Sequence, residues 1–259
     1  MRPSLIALTA LVLLVPSLAA GCTGPLFDNV SQVGDAAKAL VDGSNYPKMV
    51  IEIDHPQGYG PDSPALSILK SALVEISGRD ASDISIITEA SIPSEPDKRY
   101  SFAEVRALED AHRSRHTSGD TVVLYFVYVA GHSDQDSNDG SVLGAAYRGT
   151  SLVMFKGNIN AASRGSGVLD TRPPVRCIER AVAVHEFGHA AGLVNLGTPM
   201  QTPHEDGSHK GHSSNKNSVM WWAVEDGRSI VDLFTGSCND IPFEFDANDK
   251  ADLKALRNS

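Results

Sequence analysis

His185, Glu186 and His189 stand in the order His-Glu-x-x-His. At about 3.6 residues per turn, an α-helix brings side chains four apart onto one face, so two imidazoles at this spacing can aim at a single cation. Glu186 is rotated off that face by one residue. It can miss direct ligation and still reach a water beside the ion, which is the position a general base needs. The pattern therefore assigns His185 and His189 as zinc ligands and Glu186 as the base of a metal-assisted hydrolysis. The plainer reading is ordinary surface or core histidines. Against it stand the helical context and the apolar neighbours Val182, Val184 and Phe187.

The elements that would position these residues can be read around them. Residues 171–192 form the carrying helix, with Pro173 and Pro174 at its start and Gly192 at its end. Upstream, 49–53 is an apolar strand. Residues 64–76 place Leu66, Leu69, Leu73 and Ile76 at helical spacing, with Gly78 where a C-terminal cap belongs. Residues 84–87 give a second strand, and 101–113 a helix opened by a Ser101/Glu104 capping box. The β-branched and aromatic run 121–129 suits a strand covered on both faces. Strand, helix, strand, helix, strand implies an α/β fold with a mostly parallel sheet and right-handed crossovers. Residues 142–147 and 151–155 read as strands at or near the sheet edge, and Asp246 can cap a final helix over 246–256 that carries Leu253 and Leu256.

The longer stretch from His185 to Asn195 resembles the metzincin signature His-Glu-x-x-His-x-x-Gly-x-x-His. Gly192 matches the turn glycine, and Asn195 occupies the place of the third His. Downstream histidines are His204, His209 and His212. In the archaemetzincin branch the third His is followed by Cys, four residues, Cys, one residue and the Met of the Met-turn. His212 and Met220 keep that spacing, with Ser213 and Ser218 where the cysteines would be. The resemblance thus implies His212 as third ligand, with His209, His204 and Asn195 as alternates, and 195–211 as an insertion. Such an excursion is tolerable because loop-closure entropy grows slowly with length. Met220 would support the metal from below, or else be an ordinary core Met beside Trp221 and Trp222. The resemblance covers 48–258 in element order and is motif-specific only over 185–220. It implies a zincin-like α+β fold: a twisted, mostly parallel sheet with an antiparallel edge strand, an active-site helix, a Met-turn and a C-terminal helix. It also implies one catalytic Zn2+ and endopeptidase activity on a peptide lying along the edge strand, either 142–147 or 151–155.

The rest of the chain bounds where such chemistry would operate. Its 259 residues, 41% hydrophobic, suit one good-sized domain, and a formal charge of −10 argues against a nucleic-acid partner. Arg2, an apolar run over 5–15, Pro16 and the small residues before Cys22 read as a signal peptide over 1–21. Ala20-Gly21-Cys22 resembles a bacterial lipobox, with Ala19 in the place usually held by Leu, so Cys22 is the expected lipidation site. Ordinary cleavage after Ala20 is the competing reading. Residues 22–46 then read as a lipid-anchored tether with a short helix around 34–41, and 47–259 as the metallopeptidase domain. The expected setting is the bacterial cell envelope or secretion, as a monomer acting on protein or peptide. Export leaves Cys177 and Cys238 as an even pair for a disulfide, or two buried thiols. Asp134, Asp136 and Asn138 alternate as Ca2+ loops do, but Asp139 and Ala145 stand where an EF-hand needs Gly and Glu; a solvated turn is the plainer reading. No serine-hydrolase elbow or phosphate-binding loop is visible. The rival function is a non-catalytic surface lipoprotein that keeps a zincin fold for partner binding.

Overall fold

The apolar run over 121–129 has no polar face, so it must be covered on both sides. In the computed structural model, which describes residues 32–163 and 170–259, it is the central strand β4 (Thr121–Val129) of a five-stranded sheet. On one side lie β1 (Lys48–Pro56) and then β2 (Ile84–Ile92); on the other lie β7 (Ser151–Phe155) and then the edge strand β6 (Gly144–Arg148). All neighbours pair in parallel except β6, which runs antiparallel to β7. The mixed sheet agrees with the expected architecture. Of the two edge candidates, 144–148 holds the edge, while all of Ser151–Phe155 is buried inside the sheet. The short strands β3 (Arg99–Tyr100) and β5 (His132–Ser133) pair apart from it. The expected signal peptide and Cys22 lie outside the described residues.

Alternation along β4 feeds two cores. Val122, Leu124, Phe126 and Tyr128 face the larger one, which also takes Leu69, Leu73 and Ile76 of α2 (Ser63–Ser77) and the apolar side of α5 (Val175–Ala190). Tyr125, Val127 and Val129 face the smaller one, closed by Val105 of α3 (Phe102–His112). Each fully buried Leu contributes about 1.5–3 kcal/mol. The helix ends follow local chemistry. Gly78, at φ 69°, closes α2, and Ser101 and Glu104 exchange hydrogen bonds in the capping box of α3. The helix α5 starts at Val175, later than the expected 171, because Pro174 is extended at ψ 151° and both prolines must pass first.

Three segments depart from expectation. The helix α1 (Ala37–Val41) is core and not tether: Ala36, Leu40 and Val41 are fully buried. Buried Arg79 donates to the carbonyls of Leu40, Ala39 and Tyr46, and burial pulls its pKa down to about 10. The packed domain therefore starts before the boundary placed at 47. The helix α4 (Lys156–Ala162) is too short to show periodicity; it is fastened to α5 by the buried Lys156–Glu179 ion pair. Glu179 also accepts from Asp62 N at the start of α2 (2.7 Å). The short α6 (Ser229–Leu233) precedes the C-terminal α7 (Ala247–Asn258), whose first amides are capped by Asp246. Among the described residues no helix is long and apolar enough to cross a membrane.

Cys177, in the first turn of α5, is disulfide-bonded to Cys238 with a Cα–Cα distance of 5.0 Å, closing a separation of 61 residues. In the chain-entropy account a loop of that length stabilises by about 4 kcal/mol. The Cys177→Ser/Cys238→Ser double variant is expected to lower the urea midpoint by a corresponding amount. An unchanged midpoint under oxidising conditions would mean that the two sulfurs are not bridged.

Candidate metal centre

From His185 to Ala190 every residue of α5 is buried, so this end of the helix lies inside the protein with its polar groups needing partners. The helix stops at Gly192, whose φ of 71° admits glycine readily; a Cβ there would stand 2.8 Å from Thr198 N. Val194 and Asn195 follow with φ of 50° and 69°. For a β-branched residue this is a strained conformation, on the order of 1–3 kcal/mol, held because Val194 is fully buried. The turn sends Asn195 to the exposed surface, away from the buried imidazoles.

The chain returns through a hairpin. Asp206 N donates to His212 O (2.7 Å) and Ser214 N to His204 O (2.8 Å), with Glu205 and Ser213 bridged antiparallel. His212 thereby joins His185 and His189, with ring centroids 4.7, 5.0 and 5.3 Å apart. Glu225, which no sequence pattern marked, completes the group: one ligand atom from each of the four side chains lies within 4.8 Å of the others.

Proton positions follow from the carbonyls. His185 Nδ1 lies 2.6 Å from Val219 O, and His212 Nδ1 lies 3.1 Å from Lys210 O. A carbonyl only accepts, so each Nδ1 carries the hydrogen, and in the neutral ring Nε2 presents a lone pair. Both Nε2 atoms are buried without a hydrogen-bond partner. They face the Glu225 carboxylate, at 3.0 Å from His212 and 3.4 Å from His185, with His189 Nε2 at 3.8 Å. Lone pairs and an anion at these separations repel, and a positive charge shared among them removes the conflict. The donor set fits one divalent cation. Burial lowers the His189 pKa to about 4, which keeps that imidazole neutral and able to ligate at neutral pH.

Glu186 lies beside this group and outside it. Its Oε2 accepts from Ala146 N of the edge strand (3.0 Å), and its Oε1 is buried without a partner. Burial first, and then the charge of Glu225, push its pKa well above the carboxylate range. Close approach of strand to helix depends on Gly144, where a Cβ would stand 2.8 Å from Val182 Cγ1 and 2.9 Å from Glu186 Cγ. Met220 is fully buried against Gly188, where a Cβ would overlap Met220 Sδ and stand 3.0 Å from Phe245 Cε1.

The other histidines of the excursion go elsewhere. His204 is buried against α7, with Nε2 3.4 Å from Asp249 and 3.7 Å from Asp252. His209 stacks on Trp222 at 4.2 Å and pairs with Asp206. Neither reaches the centre. Asp136 accepts from Val142 N and Asn158 Nδ2, anchoring the approach to β6, while Asp134 and Asn138 are exposed.

His212→Ala is expected to weaken Zn2+ binding, measured by chelator competition, by about 100-fold or more, against little change for His209→Ala or Asn195→Ala. The reverse ranking would overturn the ligand set. Gly188→Ala is expected to destabilise by about 1–3 kcal/mol through overpacking onto Met220, read as a lower melting temperature.

No family model matches the sequence, and no curated protein matches it. Among solved structures, the chain is similar to the archaemetzincin of Methanopyrus kandleri, over 82% of this chain and 97% of that one, at 15% identity and a TM-score of 0.51. Metalloproteinase-II from Bacteroides fragilis aligns over 83% of this chain and 55% of that one, at 13% identity and a TM-score of 0.41. With its mostly parallel sheet, antiparallel edge strand and buried His-Glu-x-x-His helix, the chain has an archaemetzincin-like fold.

Proposed function

We propose that this protein is a zinc-dependent endopeptidase, with the ion held by His185, His189 and His212. The observation that carries the reading is the placement of Glu186: a buried carboxylate beside three convergent imidazoles, fixed by an amide of the edge strand. Bound zinc would supply Lewis acidity, polarising the scissile carbonyl and acidifying a water. The protein's own groups do the rest. Glu186 accepts the proton of the attacking water on its unpartnered Oε1 and returns it to the leaving amine. The edge strand β6 pairs with β7 on one side only, so its other side can take an extended peptide as an added strand. A cavity of about 310 Å3 bordered by Val142, Gly144, Ala145 and Glu225 lies along that strand and can receive a side chain. The leader and lipidation site expected from the sequence over 1–21 and at Cys22 would place this activity at the cell envelope.

The non-catalytic reading has one observation in its favour, since Glu225 offers a fourth protein donor and structural zinc sites are closed four-donor shells. Glu186 weighs against it, because a structural site has no use for a base. Glu186→Gln is expected to retain one zinc per chain and lose hydrolysis of a fluorogenic peptide library. Wild-type turnover in that variant would remove Glu186 as the base. Wild-type protein loaded with zinc and inert across the library would favour the binding protein.

A further inference from the structure

Glu225 lies outside the His-Glu-x-x-His pattern, yet its carboxylate is one of the four groups gathered at the centre. It follows the 3-10 turn Trp222–Val224, just beyond the Met-turn, and its backbone is stitched to the segment that enters the edge strand. Leu143 N donates to Glu225 O (3.0 Å), Val142 is bridged to Asp226, and Ser141 N donates to Asp226 Oδ2 (3.1 Å). The neighbouring acid is thereby occupied, and Glu225 alone of the pair turns to the imidazoles. Its side chain is 30% exposed where those of His185 and His189 are 0% and 9% exposed. It borders the 310 Å3 cavity along β6. Glu225 therefore approaches the centre from the open, cleft side, the side from which a scissile carbonyl would have to come.

We propose that Glu225 is a fourth ligand of the ion held by His185, His189 and His212, and that it closes the position a substrate requires, so that the resting centre is latched. An anionic oxygen neutralises one of the two charges of the cation and completes a four-donor shell, both of which suppress Lewis acidity and exclude water. Opening requires only that the carboxylate, 30% exposed, turn from the rings toward solvent, while the backbone stays fixed by Leu143 and Asp226. The latch rests on the peptidase reading; the ligation does not.

The two are separated by measuring metal binding and turnover on the same full-length proteins. Glu225→Gln keeps the size of the side chain and removes the anionic donor. It is expected to weaken Zn2+ affinity about tenfold or more in chelator competition and to raise turnover of the peptide library severalfold. With Co2+ in place of Zn2+, the visible spectrum of the wild type is expected to ignore added azide, because no position is open, while that of Glu225→Gln responds. The wild-type half of this test needs no variant to fold. Unchanged Zn2+ affinity in Glu225→Gln, or an azide response in the wild type equal to that of the variant, overturns the ligand assignment. Weaker affinity with reduced turnover leaves a ligand and overturns the latch. Weaker affinity and an azide response confined to the variant, with no turnover in any form, leaves the ligand standing and removes the peptidase reading.

Discussion

The hydrogen bond from His185 Nδ1 to the carbonyl of Val219 is the contact on which the centre depends. It fixes which ring nitrogen is free, and it ties α5 to a turn 34 residues further along the chain. The turn is itself anchored: Val219 N donates to Glu244 O, Met220 N to Ser218 Oγ, and Ser213 N to Met220 O. A shift of Val219 would disturb the hydrogen bond of His185, the position of Met220 and the segment at Ser213 that follows His212 together. Glycine at 188 is part of the same constraint, because only a missing side chain lets Met220 lie directly against the helix.

What was legible in the sequence follows the range of the interaction concerned. His185, Glu186 and His189 are related by helical geometry alone, so spacing sufficed. The central strand could be read from composition, since a run with no polar face admits few other placements. The third donor was not a local matter. His204, His209 and His212 have equal ligand chemistry, and only the resemblance in the distance to Met220 favoured His212; the structure separates them by giving His204 to α7 and His209 to Trp222. Glu225 carried no signal, because a single acid just after a short 3-10 turn has no periodicity or partner spacing to mark it. Within 22–46, read as a tether with a short helix around 34–41, the burial of that helix was illegible for a related reason: a five-residue helix is too short to display an apolar stripe, although Leu40 and Val41 are entirely buried.

The turn at Met220 is held by hydrogen bonds from the residues that precede it. Ser218 Oγ donates to Asp249 Oδ2 (2.5 Å), Asn215 donates to Asp246, and Gln201 N donates to Asp252. Asp249 and Asp252 of α7 and its cap Asp246 thus take hydrogen bonds from Ser218, Gln201 and Asn215, and His204 lies between Asp249 and Asp252. Where they face one another, His204 Nε2, Asp249 Oδ1 and Asp252 Oδ2 are buried without a hydrogen-bond partner, so the packing there is sensitive to the charge these groups carry. Burial raises the pKa values of Asp249 and Asp252, so their charged forms depend on these donors. The covalent fastening lies at the other end of the metal helix, where Cys177 is joined to Cys238. The helix is therefore fixed at its start by the disulfide and at its end by the hydrogen bond to Val219.

That rigidity explains how two opposed demands can coexist at the centre. Holding the ion favours as many converging donors as possible, whereas hydrolysis favours an open position beside a base. The imidazoles of His185 and His189 are immobile, being buried on a helix pinned at both ends, and His212 is fixed by its hairpin and by Lys210 O. Glu186 is equally fixed, by Ala146 N. Glu225 alone combines a donor facing the rings with substantial exposure and a cavity beside it. Any adjustment of the number of donors therefore falls to Glu225, and it falls next to the strand where a substrate would lie.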